Sequence, residues 1–463
     1  MINQSDIQII NNNWSTLGQS ALEKFISIPN TTPCVYTDPL NDADQMLAVI
    51  NHAVNFLQLL QIPNLTTQIL QNPARTPLLL VKIEGTLIND DEYLFYMHLD
   101  KQPPLTDAWS EGLGPYTPVI KDNKLYGRGS SDDGYAIFAL GVILRSLIDT
   151  GKSYCSMTII AECSEESGSC DLQTYLESYQ YLLGNPTQIF ILDSGANDSD
   201  TKNLYITSSL RGCVMGYLNV KVLTQSVHSG AGGGIIPNPF NVLVNQLNRF
   251  NESKCISSNP PDQIKDLMFA TSEYFGDNYR YQFPIIDNLT LDNCGTNFEC
   301  YCKNVWDSTC EIVGIDMFPT AQEAGNIISP EIRVKFSMRL PPNLDNLEAE
   351  KIIKDQLEMP DQWRSQFVVS DLHSCSGWVN SISSPIFDEK ILKAIEGIYD
   401  SIVYVNVGAS IPTNSLISKM FPDANIITTG VITKDSNIHS HDENLDLDLV
   451  KRFMTFLYRV IYL

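Results

Sequence analysis

The chain of 463 residues carries 54 acidic and 30 basic residues, which gives a formal net charge of −24. A chain this acidic repels phosphate backbones, so nucleic acid is excluded as an expected partner. Hydrophobic residues make up 43% of the sequence and charged residues 18%, proportions that exclude intrinsic disorder and predict a folded protein. A length of 463 residues is too great for one ordinary core and predicts two domains.

Residues 10–75 carry helical signals, and apolar residues at helical spacing predict a helix over 43–60. From residue 77 short apolar runs predict strands in PLLLVKIEG (77–85), EYLFYMHLD (92–100), SMTIIAEC (156–163) and QIFILDSG (188–195). Helices are predicted between these strands, over 136–148 and 171–182. Alternation of this kind predicts an α/β fold whose mostly parallel sheet is covered on both faces.

From about residue 211 the pattern changes. CVMGYLNVKVLT (213–224) and IRVKFSMRL (332–340) alternate apolar and polar residues, as half-buried strands do, and a helix is predicted over 238–250. After residue 380 the α/β pattern resumes, with helices over 386–398 and 445–460 and the strand ANIITTG (424–430) between them. We therefore predict one α/β domain built from residues 1–210 and 381–463, with an α+β domain inserted over 211–380.

Targeting signals are not expected in this sequence. No uninterrupted apolar stretch reaches 18 residues, so a membrane-spanning helix is not predicted. The segment MINQSDIQIINNNW has neither the basic region nor the apolar region of a signal peptide. We expect a cytoplasmic protein, or an exported one if a leader has been removed.

Four of the eleven cysteines lie close together, at Cys294, Cys300, Cys302 and Cys310. They contain no C-x-x-C pair, so a zinc knuckle is poorly supported. They form either a local disulfide-bonded loop or free thiols, and the second alternative fits the lack of a leader.

Residues able to bind metals follow the predicted strands and one later segment. They lie in MHLD (His98, Asp100), GRGSSDDG (Asp132, Asp133), AECSEESGS (Glu165, Glu166), FILDSG (Asp193) and SNIHSHDENL (His439, His441, Glu443). Ligands of α/β sheets bind beyond the carboxyl ends of the strands. Mixed histidine and carboxylate donors suit zinc or manganese better than calcium. One carboxylate shared by two ions would make a two-metal hydrolytic centre.

The position of the adjacent pair Glu165 and Glu166 requires an explanation, because two carboxylates at the end of a buried strand are costly to desolvate. On an extended backbone adjacent side chains point in opposite directions. One glutamate can then ligate a metal while the other acts as a general base toward water. Taken singly, the sites have simpler alternatives: the pair could be a solvated turn, Asp132 could cap the following helix, and Asp193 could be a turn residue.

The segments MHLDKQPP, LYGRGSSDDG, ECSEESGS, ILDSG, VHSGAGGG, FSMRLPP, GASIP and HSHDE occur in this order. Together they resemble the carnosinase, glutamate carboxypeptidase and aminoacylase family of co-catalytic zinc metallopeptidases, in particular its dipeptidase-like branch. The resemblance runs from about residue 77 to 445. It implies a catalytic α/β domain with an inserted lid domain, which agrees with the domain pattern predicted above.

Five positions match the metal ligands of that family. The resemblance implies Asp132 as the bridge between two zinc ions, His98 and Asp193 as ligands of one ion, and Glu166 and His439 as ligands of the other. Manganese or cobalt could take the place of zinc. His439 is preferred over His441 because the family ligand lies four residues before the glutamate of the terminal motif, here Glu443.

The resemblance also implies residues for catalysis. Glu165 would be the general base, and Asp100 would orient His98. His228 in the lid would help to polarise the scissile carbonyl, often across a dimer. Many family members have Lys-Gly after the second aspartate, where this chain has Gly134-Tyr135, so the packing beside Asp132 is expected to differ.

A substrate carboxylate would be held by Arg339 and Ser410, together with the glycine-rich loop that begins at Gly408, because an arginine fork pairs well with a carboxylate. We predict a metal-dependent exopeptidase that hydrolyses dipeptides or short peptides and forms a homodimer through the lid. Deacylation of N-acyl amino acids and carboxypeptidase activity are alternatives that use the same centre. A non-catalytic peptide-binding relative is a third, but a pure binder has no use for Glu165. Aspartate at 193, where carboxypeptidases and deacylases more often have glutamate, favours unblocked dipeptides.

Overall fold

A computed structural model describes residues 3–33, 43–72, 74–87, 91–196, 201–280, 283, 285–286, 289–291, 295–380 and 385–462. The chain divides into two compact units. The first consists of residues 1–207, 381–404 and 416–463, and the second of residues 208–380 and 405–415.

Strands occur along the whole described chain. They are β1 (Leu65–Leu70), β2 (Leu78–Ile83), β3 (Glu92–His98), β4 (Val119–Lys121), β5 (Lys124–Tyr126), β6 (Ser156–Glu162), β7 (Gln188–Ile191), β8 (Leu204–Leu210), β9 (Gly212–Lys221), β10 (Val227–His228), β11 (Thr309–Asp316), β12 (Ile327–Ile328), β13 (Glu331–Leu340), β14 (Gln366–Cys375), β15 (Trp378–Val379), β16 (Ile402–Val407), β17 (Asn425–Thr428) and β18 (Asn444–Asp446).

The helices alternate with these strands. They are α1 (Gln4–Asn13), α2 (Gln19–Ile26), α3 (Ala43–Leu59), α4 (Tyr135–Asp149), α5 (Leu172–Tyr179), α6 (Ser229–Gly232), α7 (Pro239–Ser253), α8 (Asp262–Phe275), α9 (Asn297–Val305), α10 (Asn346–Leu357), α11 (Pro385–Ile395), α12 (Pro412–Met420) and α13 (Leu447–Tyr462). None of the helices in this described part of the chain is long and apolar enough to cross a bilayer.

The main sheet of the first unit has a parallel centre. Strands β6, β3, β7 and β17 lie side by side in that order and pair in parallel. On one side β2 and β1 extend the sheet with antiparallel pairs, and on the other side β8 pairs antiparallel with β17. The inner strands are buried along almost their whole length, because helices cover a parallel sheet on both faces.

Helix α4 shows how the apolar run before residue 149 is used. Its residues are almost all buried, and it packs against α13 and α1 in the core of the first unit. The run is apolar on every side because the helix is enclosed on every side. Half-buried Arg145 interrupts the run and donates to the carbonyl of Leu60.

The second unit contains a four-stranded antiparallel sheet in the order β11-β13-β9-β14. Buried and half-buried residues alternate strictly along β13, as its sequence pattern predicts. Helices α7 and α10 pack against this sheet and enclose a separate apolar core. The predicted fold class is therefore confirmed: a mostly parallel main sheet accompanies a separate antiparallel sheet.

A small antiparallel sheet of β18, β5 and β4 completes the first unit. Its register places Asn444 opposite Tyr126 and Asp446 opposite Lys124. The residues that follow β5 therefore run beside the residues that precede β18. This pairing brings two segments together that lie more than three hundred positions apart in the sequence.

Candidate metal centre and active site

Three neighbouring parallel strands deliver side chains to one edge of the main sheet. His98 is the last residue of β3, Asp193 lies two residues after β7, and Glu165 and Glu166 follow the end of β6. Because these strands are adjacent and parallel, their carboxyl ends meet at one edge. The sequence analysis expected a site at these strand ends for this reason: the carboxyl ends of adjacent parallel strands lie side by side.

Asp132 reaches the same place from a different sheet. The sequence analysis placed it at a strand end of the α/β sheet, but it follows β5, which belongs to the small sheet. The pairing of β5 with β18 brings the loop of Asp132 beside the segment that carries His439. The alternative role of Asp132 as a helix cap is not supported, because Gly134 is the N-cap of α4 and no side chain caps that end.

The carboxylate of Asp132 lies between two imidazole rings. Its Oδ1 is 3.1 Å from Nε2 of His98, and its Oδ2 is 3.1 Å from Nε2 of His439. His439 Nε2 is also 3.2 Å from Oε2 of Glu166, and His98 Nε2 is 3.9 Å from Oδ1 of Asp193. All five residues that match the family's metal ligands are thus brought together in the first unit.

Two groups of these side chains are compact enough to hold a cation. His98, Asp132 and Glu166 offer ligand atoms within 4.8 Å of one another, and so do His98, Glu165 and Asp193. The donors are imidazole nitrogens and carboxylate oxygens, the set that suits zinc and manganese. The residues present therefore fit the metal ions that the sequence analysis predicts.

The electrostatics of the cluster also favour bound cations. Burial raises the pKa values of Glu165 and Asp193 well above their ordinary range, and neighbouring carboxylates add to the effect. Burial would also raise the pKa of Asp132, but hydrogen bonds with His439 and His98 bring it below its ordinary range. Several buried carboxylates at one point repel each other, and cations bound among them would remove that cost.

The adjacent glutamates differ from their predicted geometry. Glu165–Ser167 forms a single 3₁₀ turn, so the expectation of an extended backbone with side chains on opposite sides is wrong. Asp100 explains why the chain turns here. Its Oδ1 accepts the backbone N–H of Glu165 at 3.2 Å, and its Oδ2 accepts that of Glu166 at 3.0 Å.

Asp100 also contacts the ring of His98. Its Oδ1 lies 3.4 Å from Nδ1 of His98, and its backbone carbonyl lies 3.1 Å from the same nitrogen. These contacts fix the ring so that Nε2 faces Asp132. One buried carboxylate therefore positions both the histidine and the pair of glutamates.

Glu443, which the sequence analysis named among the candidate metal-binding residues and used to choose between two histidines, is a positioning residue. Its buried carboxylate pairs with Arg128 at 2.9 Å and accepts the backbone N–H groups of Gly129 at 3.1 Å and Asp132 at 3.3 Å. It therefore ties the loop of Asp132 to the segment of His439. By contrast, His441 is exposed, and its Nδ1 lies 3.4 Å from the hydroxyl of Ser440.

Other polar residues beside the centre carry no signal in the sequence. The amide of Gln102 donates to Oε2 of Glu166 at 2.6 Å. Glu162, the last residue of β6, is buried and accepts from the hydroxyl groups of Tyr96 and Ser169. Burial raises the pKa of Glu162 to about 7.

The departure at Gly134-Tyr135 has a local explanation. A Cβ atom on Gly134 would lie 2.2 Å from the ring of Phe25, so this packing has no room for a side chain there. Tyr135 is buried and donates its hydroxyl to the carbonyl of Leu192 at 2.7 Å, one residue before Asp193. The substitution thus adds a contact to the strand end that carries Asp193.

His228 is exposed and lies in the second unit, on the short strand β10. Its Nδ1 accepts the backbone N–H of Gly230 at 3.1 Å. In the neutral ring the proton must therefore sit on Nε2, where it is available as a donor.

The predicted carboxylate-binding residues also belong to the second unit. Arg339, near the end of β13, donates to the hydroxyl of Ser410 at 2.7 Å. Ser410 and Gly408 lie in the loop between β16 and α12. Of the four clustered cysteines, Cys294 lies outside the described residues, and Cys302 and Cys310 are free thiols.

Histidine and carboxylate side chains that meet at the carboxyl ends of parallel strands place the protein in the class of metal-binding α/β proteins. Residues 94–463 match the model of peptidase family M20/M25/M40. The chain belongs to this family, which confirms the predicted family and the predicted metallopeptidase activity.

Individual relatives agree with this assignment. A cysteinylglycine-S-conjugate dipeptidase of Corynebacterium striatum is 27% identical over 363 residues, 76% of this chain and 76% of that protein. A Cys-Gly metallodipeptidase of Schizosaccharomyces pombe is 24% identical over 391 residues, 79% of each chain. The crystal structure of human carnosine dipeptidase 1 matches with a TM-score of 0.76 and 20% identity, covering 99% of this chain and 97% of that one. This last likeness shows the fold.

Proposed function

We propose that the protein is a dinuclear zinc dipeptidase. The observation that carries the proposal is the Asp132 carboxylate, which presents one oxygen to His98 and the other to His439. His98 and Asp193 would hold one ion, Glu166 and His439 the other, and Asp132 both. The dipeptidase names of the relatives support the substrate class.

Bound ions would polarise the scissile carbonyl and lower the pKa of a water molecule. Glu165 takes a proton from the attacking water, whose oxygen bonds to the carbonyl carbon, and passes that proton to the amine that leaves when the C–N bond breaks. Burial and the neighbouring carboxylates raise the pKa of Glu165 in the metal-free cluster, so this carboxylate is more basic than an ordinary glutamate. Asp100 holds Glu165 in place through the backbone of the 3₁₀ turn.

Residues of the second unit are proposed to bind the substrate. His228 donates from Nε2 to the scissile carbonyl, in keeping with the acceptor role of its Nδ1. Arg339 and Ser410 hold the substrate carboxylate, with the loop that starts at Gly408. We propose that residues 1–210 and 381–463 form the catalytic domain and residues 211–380 an inserted lid. The compact units differ from this division at residues 208–210 and 405–415, which belong to the second unit.

A homodimer through the lid is proposed from the edge strand β11. This strand lies at the end of its sheet and exposes Val313 and Ile315, which are 58% and 55% accessible. Beside it Phe318 is exposed and its ring contacts that of Phe240. An apolar edge strand is a template for pairing with a second chain. Sedimentation of the protein and of Ile315→Lys tests this proposal: the first should be a dimer and the second a monomer.

A cytoplasmic location is proposed because the thiols of Cys302 and Cys310 are free, as expected in a reducing compartment. Fractionation of the source cells tests it. Recovery of the enzyme only in the exported fraction would contradict the proposal.

Exchange of each adjacent glutamate for glutamine tests the roles in the centre. Glu165→Gln should retain zinc and reduce turnover of a dipeptide by about 10²–10⁴-fold, the usual contribution of a general base. Glu166→Gln should lower zinc occupancy, because it removes a ligand oxygen. Zinc content and kcat are measured on the same preparations. The opposite result for the two variants would show that the roles are reversed.

Matched substrates test the reaction itself. An unblocked dipeptide should be cleaved faster than its N-acetylated form, because Asp193 favours a free amine beside the ions. Faster cleavage of the acetylated form would replace the dipeptidase proposal with the deacylase or carboxypeptidase alternative.

A further inference from the structure

The loop from Gly408 to Ser410 is held by a second arginine that the sequence gives no reason to single out. Arg211 lies between β8 and β9 and is only 6% exposed. Its Nε donates to the carbonyl of Gly408 at 2.9 Å, and its Nη1 donates to the carbonyl of Asp307 at 2.9 Å. A Cβ atom on Gly408 would lie 3.1 Å from Nη2, so the guanidinium packs directly against this glycine.

Arg339 approaches the same loop two residues further on, through its bond to Ser410. The register of β13 and β9 pairs Arg339 with Cys213, two positions after Arg211. The two guanidinium groups therefore contact one short loop from neighbouring positions of one sheet. All of these residues belong to the second unit.

No ion pair within the described part of the chain compensates the charges of this pair, although Asp307 lies close enough to attract Arg211 electrostatically. Among the described residues neither Arg211 nor Arg339 forms an ion pair with a carboxylate, although the chain as a whole carries a net charge of −24. Burial and the charge of Arg339 lower the pKa of Arg211 to about 10. Buried cations are usually paired, because an unpaired one is costly to desolvate. Two neighbouring unpaired guanidinium groups therefore favour an anion as ligand.

We propose that Arg211 is a positioning residue that makes the enzyme selective for substrates with a free C-terminal carboxylate. It fixes the peptide of Gly408, so that Ser410 and Arg339 face the carboxylate, and it places a second positive charge behind the loop. This proposal rests on the dipeptidase function above and extends it by a residue that does not itself contact the substrate.

Paired substrates separate this role from a general structural one. The Arg211→Met variant is assayed with a dipeptide and with the same dipeptide carrying a C-terminal amide. For the free carboxylate we expect KM to rise at least about 10-fold with kcat within about 3-fold, since the lost interaction is one of binding. For the amide KM should change little, so the preference for the carboxylate falls.

Two further variants keep the proposal testable. Arg211→Lys retains the charge but cannot hold both carbonyl groups, so it should recover part of the carboxylate preference. If Arg211→Met does not fold, Arg211→Lys still tests the proposal, because its KM for the dipeptide with a free carboxylate should be raised while its KM for the amide is not. Arg249→Met is the matched control: half-buried Arg249 also donates to backbone carbonyls in the second unit, those of Met359 and Pro360, and its loss should leave the preference unchanged.

The outcomes distinguish this proposal from the one on which it rests. If the unaltered enzyme does not cleave unblocked dipeptides, the proposed function fails. If it does, and both Arg211 variants retain the wild-type ratio of KM values for the two substrates, the role of Arg211 is refuted. An equal loss of activity on both substrates would likewise refute it, because a purely structural role predicts that result.

Discussion

Replacement of Asp100 by asparagine should weaken metal binding without unfolding the protein. The carboxylate accepts two backbone N–H groups, from Glu165 and Glu166, and lies against the ring of His98. The amide has one acceptor oxygen, so at least one of these groups loses its partner. A buried donor left without an acceptor costs about 1–3 kcal/mol.

This cost falls on the residues proposed to bind metal. If the lost hydrogen bond destabilises the metal-bound state more than the metal-free state, zinc affinity should drop by roughly 10- to 100-fold, the range typical of residues that orient ligands. Asp100→Ala should drop further, since it removes every acceptor at once. Competition with a chromophoric chelator measures the affinity, and circular dichroism checks the fold. The exposed Asp107→Asn, in a nearby turn, is the control and should bind zinc like the wild type. Wild-type zinc affinity in Asp100→Asn would show that Asp100 does not position the ligands.

Three further predictions concern the bridge, a buried acid and the lid. Asp132→Ala should lose both zinc ions, and elemental analysis that finds one tightly held ion would show that Asp132 is not shared. The raised pKa of Glu162, about 7, means that its stabilising contribution is complete below about pH 4.5 and is lost as the pH rises to 7. The glutamine in Glu162→Gln does not titrate, so this variant should not lose that contribution. Between pH 4.5 and 8 the free energy of unfolding of the metal-free wild type, measured with urea, should therefore fall by about 3 kcal/mol more than that of the variant. The same pH dependence in both proteins would contradict this. Mixing His228→Ala with Glu165→Gln subunits should restore activity if His228 acts across a dimer, whereas no recovery after confirmed subunit exchange would place its action within one chain.

Much of the fold could be predicted because the periodicity of apolar residues follows their burial. The long apolar run of α4 and the alternation along β13 each follow from the surroundings of those elements. The positions of His98 and Asp193 followed from the rule that ligands gather at the carboxyl ends of parallel strands.

Other features depend on long-range pairing that leaves no local pattern. Asp132 meets His439 only because β5 pairs with β18, and both strands are three residues long. The turn at Glu165 was missed because its cause is a carboxylate 65 residues earlier in the chain. Arg211 and Glu443 bond to backbone groups of distant loops, contacts that residue type and spacing do not predict.

Titration of zinc into the metal-free enzyme tests the central claim most directly. Hydrolysis of an unblocked dipeptide is followed as zinc is added, and bound zinc is measured in the same samples. The proposed centre predicts no activity without zinc and full activity when about two ions per chain are bound, one on each side of Asp132. Full activity in the metal-free protein, or with a single bound ion, would contradict a dinuclear centre built on Asp132.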